Sequence, residues 1–381
     1  MSAAIYLDYN ATTPVDPRVM EKMLPYFTEH YGNPSSHAHM YGWVANAAVE
    51  RARSEVAECI GASRPNEIIF TSGATEGINT AIKGVAEAYS RRGHHIVTVQ
   101  TEHSAVTHVC QYLERRGWRV TYLPVDSNGI LCLDELKNSL TEETVLVCVM
   151  WANNETGVIQ PITEVSELVQ ERGIPFMTDA TQAIGKLPVS VEGIDVLVCS
   201  GHKVYGPKGI GAMFVRGRMR YSPLIDGGGQ ERGQRSGTHN VPGIVGMGEA
   251  FRLAKLEIER DNFHLSVLRD RFEQSLIEAG IEVRIHGIEA KRLPQTSSIS
   301  FPNLNIERLL LSIRTLAVGT GSACGAGQRM PSSVLSAMGV EAEVAGQTLR
   351  ISLGRPTTQE EIIEASELII NAVNRLYTKA A

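Results

Sequence analysis

The sequence predicts an α/β protein with a mainly parallel seven-stranded sheet between helices, followed by a smaller α+β domain. From about residue 44 to residue 260, short apolar segments alternate with amphipathic segments, which is typical of parallel strands joined by helical crossovers. Strand candidates such as Val145–Met150 are apolar at every position, and this indicates a sheet covered on both faces. After about residue 260 the alternation stops, which favours a second, smaller domain.

Each element of the larger unit is predicted from its own segment. The strand candidates are Ile68–Thr71, Ile96–Gln100, Val120–Leu123, Val145–Trp151, Phe176–Asp179, Val196–Cys199 and Gly211–Val215. The helix candidates between them are Asn79–Arg91, Ala105–Arg116 and Ile162–Arg172. These helix candidates are amphipathic, as expected for helices that cover a sheet.

Towards the C-terminus, the sequence predicts helices at Ile244–Arg260 and His264–Ala279, and strands at Val283–His286, Ser297–Phe301 and Leu349–Leu353. The last helix opens with Thr358 and Glu361, the capping-box pattern in which each side chain bonds the backbone N–H of the other residue.

Composition limits the function classes. The chain has 381 residues, 43% of them hydrophobic and 20% charged, with a formal net charge of −6. This charge gives no electrostatic case for a nucleic-acid surface. The sequence shows neither a membrane-spanning apolar segment nor a signal-peptide pattern at Met1–Asp8, so we expect a cytoplasmic protein. Its six cysteines form no Cys-x-x-Cys pair, and we predict no metal site.

Polar residues at predicted strand ends carry the chemistry. Ser200–Lys203 follows a buried strand, where a partly desolvated lysine can lose its proton and form a Schiff base. Asp179 ends the preceding strand, Ser72–Gly77 opens a helix and is suited to an anion, and His103 follows another strand. Taken singly, each has an ordinary alternative: a surface lysine, a helix N-cap, a plain helix start and a structural histidine.

Together these motifs resemble the NifS/IscS-type cysteine desulfurases, which are class V, fold-type I enzymes dependent on pyridoxal 5'-phosphate (PLP). The resemblance covers nearly the whole chain, and its motifs are Tyr6–Pro14, Gly32–Ser36, the Thr75 and His103 segments, Asn153–Gly157, Asp179–Gln182, Ser200–Lys203, Arg235–Thr238, Gly321–Cys324 and Leu349–Arg355. It implies a large PLP-binding domain of residues 14–261. A small domain then comprises residues 1–13 and 262–381 and carries Cys324.

The resemblance also implies a role for each site residue. The cofactor-binding residues are Ala74, Thr75, His103, Asn154, Asp179, Gln182, Ser200, His202, Lys203 and Thr238. Lys203 attaches the cofactor covalently, Asp179 pairs with its pyridine nitrogen, and His103 stacks on its ring and serves as acid and base. Thr238 arrives from the partner subunit of a homodimer.

The remaining implied residues handle the substrate, L-cysteine. Asn154 and Arg350 bind its carboxylate, which suits the fork of an arginine. Without the resemblance, an ordinary salt bridge is the alternative for Arg350. Cys324 takes the sulfur as a persulfide and passes it to an acceptor protein of unknown identity. Cys324 lies in the glycine-rich Gly319–Gly327, and without the resemblance an incidental cysteine in a tight turn is the alternative.

Several alternatives stay open. They are a selenocysteine lyase, another class V PLP aminotransferase, and a catalytically silent sulfur-relay subunit. The sulfur could serve iron–sulfur assembly, tRNA thiolation or DNA phosphorothioation. Two departures from the family pattern also matter: His239 follows Thr238 where Leu or Pro is expected, and the chain ends at Ala381 without the tail that docks an iron–sulfur scaffold. We therefore expect weak binding to such a scaffold.

Overall fold

The computed structural model describes residues 4–320 and 331–378. The strands in this part of the chain are β1 (Ile5–Leu7), β2 (Ile68–Thr71), β3 (His95–Val99), β4 (Arg119–Leu123), β5 (Thr144–Cys148), β6 (Phe176–Asp179), β7 (Val196–Ser200), β8 (Gly211–Val215), β9 (Arg284–Ile285), β10 (Thr296–Ser300), β11 (Leu316–Val318) and β12 (Thr348–Ser352). The helices are α1 (Pro17–Met23), α2 (Pro25–Thr28), α3 (Met40–Cys59), α4 (Ala74–Tyr89), α5 (Ser104–Glu114), α6 (Leu133–Ser139), α7 (Ile162–Glu171), α8 (Val241–Glu278), α9 (Ile306–Ser312), α10 (Ser333–Ala337), α11 (Ala342–Gly346) and α12 (Gln359–Thr378).

The seven predicted strands of the larger unit form one sheet in the order β2-β8-β7-β6-β5-β3-β4. β8 is antiparallel to both of its neighbours, and the other pairs in the sheet are parallel. Six strands therefore point the same way and end at one edge of the sheet, which confirms the predicted mainly parallel arrangement.

Both faces of this sheet are covered. Val97, Val147 and Phe176 pack in a core that also includes residues of α3, α7 and α8. Their neighbours along the strands, such as Ile96 and Met177, point to the opposite face and pack with α4 and α5. This double covering explains why the strand segments are apolar at consecutive positions.

A separate core lies in the second unit. It includes β1, the C-terminal half of α8, β10, β12 and α12. β10 is antiparallel to both β9 and β12, while β1 pairs in parallel with β11. The predicted division into residues 14–261 and residues 1–13 with 262–381 stays a prediction, because α8 runs without interruption from one core into the other.

The predicted pair of helices around residue 262 is wrong. Val241–Glu278 is one helix of 38 residues. The sequence between the two predicted helices contains no glycine or proline, and Asp261 within it accepts hydrogen bonds from Arg260 and Arg355 at 2.8 and 2.7 Å.

At the start of the last helix, the predicted capping box is confirmed by reciprocal bonds between Thr358 and Glu361 of 2.9 and 3.2 Å. Among the described residues, no helix is long and apolar enough to cross a membrane.

Candidate active site

A cavity of about 720 Å³ opens at the edge of the sheet where the six like-directed strands end. Open α/β sheets bind ligands at this edge. Apart from Thr238, every predicted site residue that the structure describes lines the cavity. These lining residues are Ala74, Thr75, His103, Asn154, Asp179, Gln182, Ser200, His202, Lys203 and Arg350.

One end of the cavity suits a phosphate group. α4 begins there at Ala74, and its N-cap residue Gly73 makes no side-chain hydrogen bond to the first turn. An uncapped helix start presents backbone N–H groups and a partial positive charge to an anion. Thr75 adds a hydroxyl group, and Ser200 reaches the same cavity from the end of β7.

His202 contributes a neutral donor to the cavity. Burial lowers the pKa of His202 to about 4, and the charges of Lys203, Lys208 and Lys186 act in the same direction. The ring is therefore uncharged near pH 7. Its Nδ1 lies 3.2 Å from the hydroxyl oxygen of Thr12. When Nδ1 accepts from that hydroxyl, Nε2 carries the proton and can donate to a ligand.

His103 combines its predicted site position with a structural role, whereas the helix N-cap that was the alternative for Asp179 is not formed, because no helix lies between β6 and β7. Asp179 Oδ1 accepts the backbone N–H of Thr181 at 2.9 Å, and His103 Nδ1 accepts that of Ala105 at 3.1 Å as the N-cap of α5. These bonds hold both side chains at the cavity wall. The cavity-lining position of each side chain is thus compatible with its local hydrogen bond to the backbone.

Lys203 lies in a short 3-10 turn, Gly201–Lys203, directly after β7. Its Nζ donates hydrogen bonds of 2.6 Å to the backbone oxygens of Asn10 and Ala11. Burial lowers the pKa of Lys203 to about 8, and the charge of Arg350 lowers it further, while carboxylates raise it. A larger fraction of the amine is therefore uncharged near neutral pH, which is the reactive form for bonding to a carbonyl group.

The other end of the cavity suits a carboxylate. Arg350 on β12 donates from Nη2 to Asp8 Oδ1 at 2.7 Å and from Nη1 to the backbone oxygen of Asn154 at 3.2 Å. Its Nε is buried and has no hydrogen-bond partner among the described residues. The guanidinium is thus held by two bonds, and each Nη atom keeps a second N–H group that these bonds do not use and that can serve a ligand in the cavity.

Cys324 itself lies outside the described residues, but the chain on either side of its segment borders the carboxylate end. Gly319 exchanges two backbone hydrogen bonds with Arg350, of 3.0 and 2.8 Å. A Cβ at residue 319 would lie 2.9 Å from Arg350 Nε, so glycine is needed for this approach. On the far side, Ser332 Oγ donates to Glu155 Oε2 at 2.5 Å, next to the lining residue Asn154.

Thr238 is exposed and does not line the cavity of its own chain. The neighbouring His239, a departure from the family pattern, has a definite partner: its Nε2 lies 2.7 Å from Glu231 Oε1. Glu231 is buried and also accepts two bonds from Arg53, at 2.6 and 3.0 Å. His239 therefore packs inward against the ion pair of Glu231 and Arg53, and Thr238 stays at the surface.

Sequence reasoning gave no role to four residues that shape the site: Asp8, Asn10, Glu155 and Lys186. Asn10 O accepts from Gln182 Nε2 at 3.1 Å as well as from Lys203. Three of the four lie within motifs that carry the resemblance, Tyr6–Pro14 and Asn153–Gly157. The motifs therefore pointed to these segments, but no role was predicted for the three residues. Lys186 lies in neither motif.

Comparison with known proteins identifies the family. Residues 5–364 match the class-V aminotransferase family. The chain belongs to this family. It is 51% identical over 376 residues to the cysteine desulfurase IscS of Neisseria meningitidis, covering 98% of this chain and 93% of that relative. Among solved structures, a NifS-like protein superposes with a TM-score of 0.91 at 42% identity, with coverage of 98% and 100%. SspA in complex with cysteine superposes at 0.81 with 37% identity, covering 92% and 98%.

Members of this family depend on pyridoxal phosphate, and the residues of the cavity fit that cofactor. The uncapped start of α4 with Thr75 and Ser200 suits its phosphate, Asp179 suits its pyridine nitrogen, and the low-pKa amine of Lys203 suits its aldehyde. Arg350 also lines the cavity, and its guanidinium suits the carboxylate of an amino acid.

Proposed function

We propose that the chain is a cysteine desulfurase, which converts L-cysteine to L-alanine and transfers the sulfur to Cys324. The observation that carries this proposal is the sharing of one cavity by the lysine, the aspartate and the arginine, with the chain on both sides of the Cys324 segment at the arginine end. An aminotransferase needs the first three groups but has no use for a thiol at that position.

The residues divide the work as follows. Pyridoxal phosphate, when bound, supplies an electron sink for negative charge at the substrate Cα. Arg350 and Asn154 would hold the substrate carboxylate, and the Asp179 side chain would pair with the pyridine nitrogen of the cofactor. The Lys203 amine removes the Cα proton, which its pKa of about 8 allows near neutral pH. His103 donates and accepts protons in the later steps.

Sulfur transfer then takes place on Cys324. Its thiolate attacks the sulfur of the substrate, an S–S bond forms, and the bond between that sulfur and Cβ breaks. The electron pair of the broken bond stays with the three-carbon fragment, which takes up a proton and leaves as alanine. Cys324 keeps the transferred sulfur as a persulfide and passes it to an acceptor.

Replacement of Cys324 by serine tests the proposal directly. A serine hydroxyl stays protonated and is a poor nucleophile towards sulfur, so Cys324→Ser should keep the cofactor colour and still change its spectrum when cysteine is added. It should release no alanine above background and carry no labelled persulfide. Cys132→Ser, at an exposed free cysteine, is the matched control and should turn over normally. Release of alanine by Cys324→Ser at the parent rate would instead favour a thiol-independent lyase.

We further propose a homodimer in which each site receives Thr238 from the partner subunit. Large apolar side chains are exposed in the N-terminal helical region, among them Leu24, Phe27, Met40 and Trp43 at 56, 58, 66 and 57%. Such a patch favours a protein interface, and two-fold symmetry is the common solution. Thr238 is itself exposed, as a residue donated to another chain must be.

Subunit mixing tests this arrangement. Lys203→Ala and Thr238→Ala chains are each expected to be impaired, but a mixed dimer holds one site that lacks both lesions. Activity should rise towards a quarter of the parent level after exchange in equal amounts, since half of the dimers are mixed. Activity that stays at the sum of the two variants after proven exchange would count against a shared site.

The acceptor and its pathway belong to the same proposal. We place the enzyme in the cytoplasm, where thiols stay reduced, in agreement with the free state of the five cysteines that the structure describes. Iron–sulfur assembly, tRNA thiolation and DNA phosphorothioation all need such a sulfur donor. A pull-down from the native cell, with the persulfide trapped in transfer, would identify the acceptor.

A further inference from the structure

Lys186 is a buried lysine that the proposed chemistry does not use. It lies in the turn after β6, beside the positive-φ Gly185, and only 9% of its surface is exposed. No ion pair with a carboxylate is found for it in residues 4–320 and 331–378. A buried amine without an acidic partner is costly, so it calls for a specific reason.

Among the described residues, the Lys186 side chain has one hydrogen-bond partner, and that partner is Lys203, the lysine predicted to attach the cofactor. Lys186 Nζ donates to the backbone oxygen of Lys203 at 2.7 Å. The backbone of Lys186 is fixed in turn, because its oxygen accepts from Asn262 Nδ2 on α8 at 2.7 Å. A chain of two hydrogen bonds therefore connects α8 to the backbone of Lys203.

The surroundings of Lys186 are polar but tightly closed. A cavity of about 20 Å³, the size of one water molecule, lies between Lys186, Lys203, Tyr205 and Asp261. Asp261 is already paired with Arg355 at 2.7 Å, and within the described part of the chain it makes no ion pair with Lys186. Tyr9 and Tyr205 also line this cavity. The charged groups that face Lys186 are therefore Lys203, Arg355 and, across the cavity, Asp261.

Burial lowers the pKa of Lys186 to about 7, and the charges of Lys203 and Arg355 act in the same direction. The amine is therefore partly uncharged at neutral pH. Both forms of the amine carry N–H groups, so the bond to the Lys203 oxygen is retained whether or not Lys186 is charged. An uncharged form also spares Lys203 the repulsion of a second buried cation.

We propose that Lys186 is a positioning residue for Lys203: its amine holds the carbonyl of Lys203 and so sets the direction in which the Lys203 side chain enters the cavity. The inference rests on the proposed function, in which Lys203 must leave the cofactor and return to it in each turnover. Without the donor from Lys186, the backbone oxygen of Lys203 loses this hydrogen bond, and the turn Gly201–Lys203 is held less firmly.

The test compares three variants of the full-length holoenzyme. Lys186→Met removes the donor with a side chain of similar length, Lys186→Arg keeps it, and Lys137→Met is a control at an exposed lysine of α6. The readout is the fraction of bound cofactor that borohydride fixes to Lys203, together with KM and kcat for cysteine. For Lys186→Met we expect this fraction and kcat to fall about tenfold, the size of one lost buried hydrogen bond, while KM changes little. Lys186→Arg should recover part of both.

Asn262→Ala provides a second, milder test, because it leaves both lysines in place and removes the bond that fixes Lys186. It should lower the borohydride-fixed fraction in the same direction, by less. Fixation and kcat at parent values in both Lys186→Met and Asn262→Ala would overturn the inference, and if Lys186→Met does not fold, the result for Asn262→Ala decides. Failure of the proposed function is distinct, since the parent protein would then bind no cofactor or release no alanine.

Discussion

The two ends of the active-site cavity are built in different ways. The phosphate end consists of residues that closely follow buried strands of one sheet: Ser72–Thr75 after β2, and Ser200 with His202 at the end of β7. The carboxylate end joins segments far apart in the chain, since Asp8 and Arg350, 342 positions apart, form its ion pair. The first end follows from local sequence and sheet topology, whereas the second depends on the packing of β1 and β12.

This difference should be visible in function. Changes at the phosphate end should weaken retention of the cofactor, and changes at the carboxylate end should weaken binding of the substrate. Lys203 lies between the ends, and its pKa depends on groups from both units, Arg350 and Asp8 on one side and Asp179 on the other.

The largest effect on turnover is expected at Lys203, between the two ends of the cavity. Lys203→Ala removes the group proposed to attach the cofactor and to take the Cα proton, so turnover should fall by roughly 10⁴-fold or more. Single-turnover release of alanine measures this loss. In the parent protein, borohydride reduction and peptide mapping should place the adduct on Lys203; an adduct on Lys208, which also lines the cavity, would show that the site assignment is wrong.

Replacement of Arg350 should weaken substrate binding at the carboxylate end and leave cofactor binding unchanged. In Arg350→Lys an ammonium group replaces the guanidinium, which can bond a carboxylate through two parallel N–H groups. KM for cysteine should therefore rise about 10- to 100-fold. The cofactor should stay bound with its parent absorption. Asp8→Asn, which keeps the arginine and removes its ion-pair partner, should give a smaller rise. Equal loss of cofactor in Arg350→Lys would mean that the two ends do not act separately.

The same contrast explains what could be predicted from the sequence. The seven strands of the sheet were predicted because Val145–Met150 and its counterparts are apolar on both faces, and sheet topology then places Asp179 and Lys203 at one edge. The continuous α8 was not predicted, since Asp261 holds its middle through a contact with the distant Arg355. Asp8, Glu155 and Lys186 were missed for a similar reason, because their partners Arg350, Ser332 and Lys203 lie elsewhere in the chain.

The phosphate end is tested by Thr75→Ala. Loss of the hydroxyl proposed to bond the cofactor phosphate should raise the rate of cofactor release about tenfold, the usual size for a hydrogen bond to a charged group. KM for cysteine should stay within a factor of two or three when the cofactor is saturating. Dialysis followed by absorption of the remaining cofactor gives the rate. Thr315→Ala, at an exposed threonine outside the cavity, should behave as the parent.

Replacement of Glu155 should have the smallest effect on activity. It should, however, change how the stability of the fold depends on pH. Burial raises the pKa of Glu155 to about 7 from 4.5, although the bond from Ser332 and the charge of Arg350 oppose the shift. The folded protein therefore holds a proton that the unfolded chain releases at lower pH. The stability that this proton contributes is fully present below about pH 4.5 and is lost as the pH rises through 7.

The size of this dependence follows from the shift, and at 1.36 kcal/mol per pKa unit it amounts to about 3 kcal/mol at most. Glu155→Gln keeps a neutral group of the same shape that can still bond Ser332, so it should remove this fall in stability between pH 5 and pH 7.5. Urea unfolding at both values measures the difference, with Glu142→Gln at an exposed position as the control. A Glu155→Gln protein that loses as much stability as the parent over this range would show that Glu155 titrates normally.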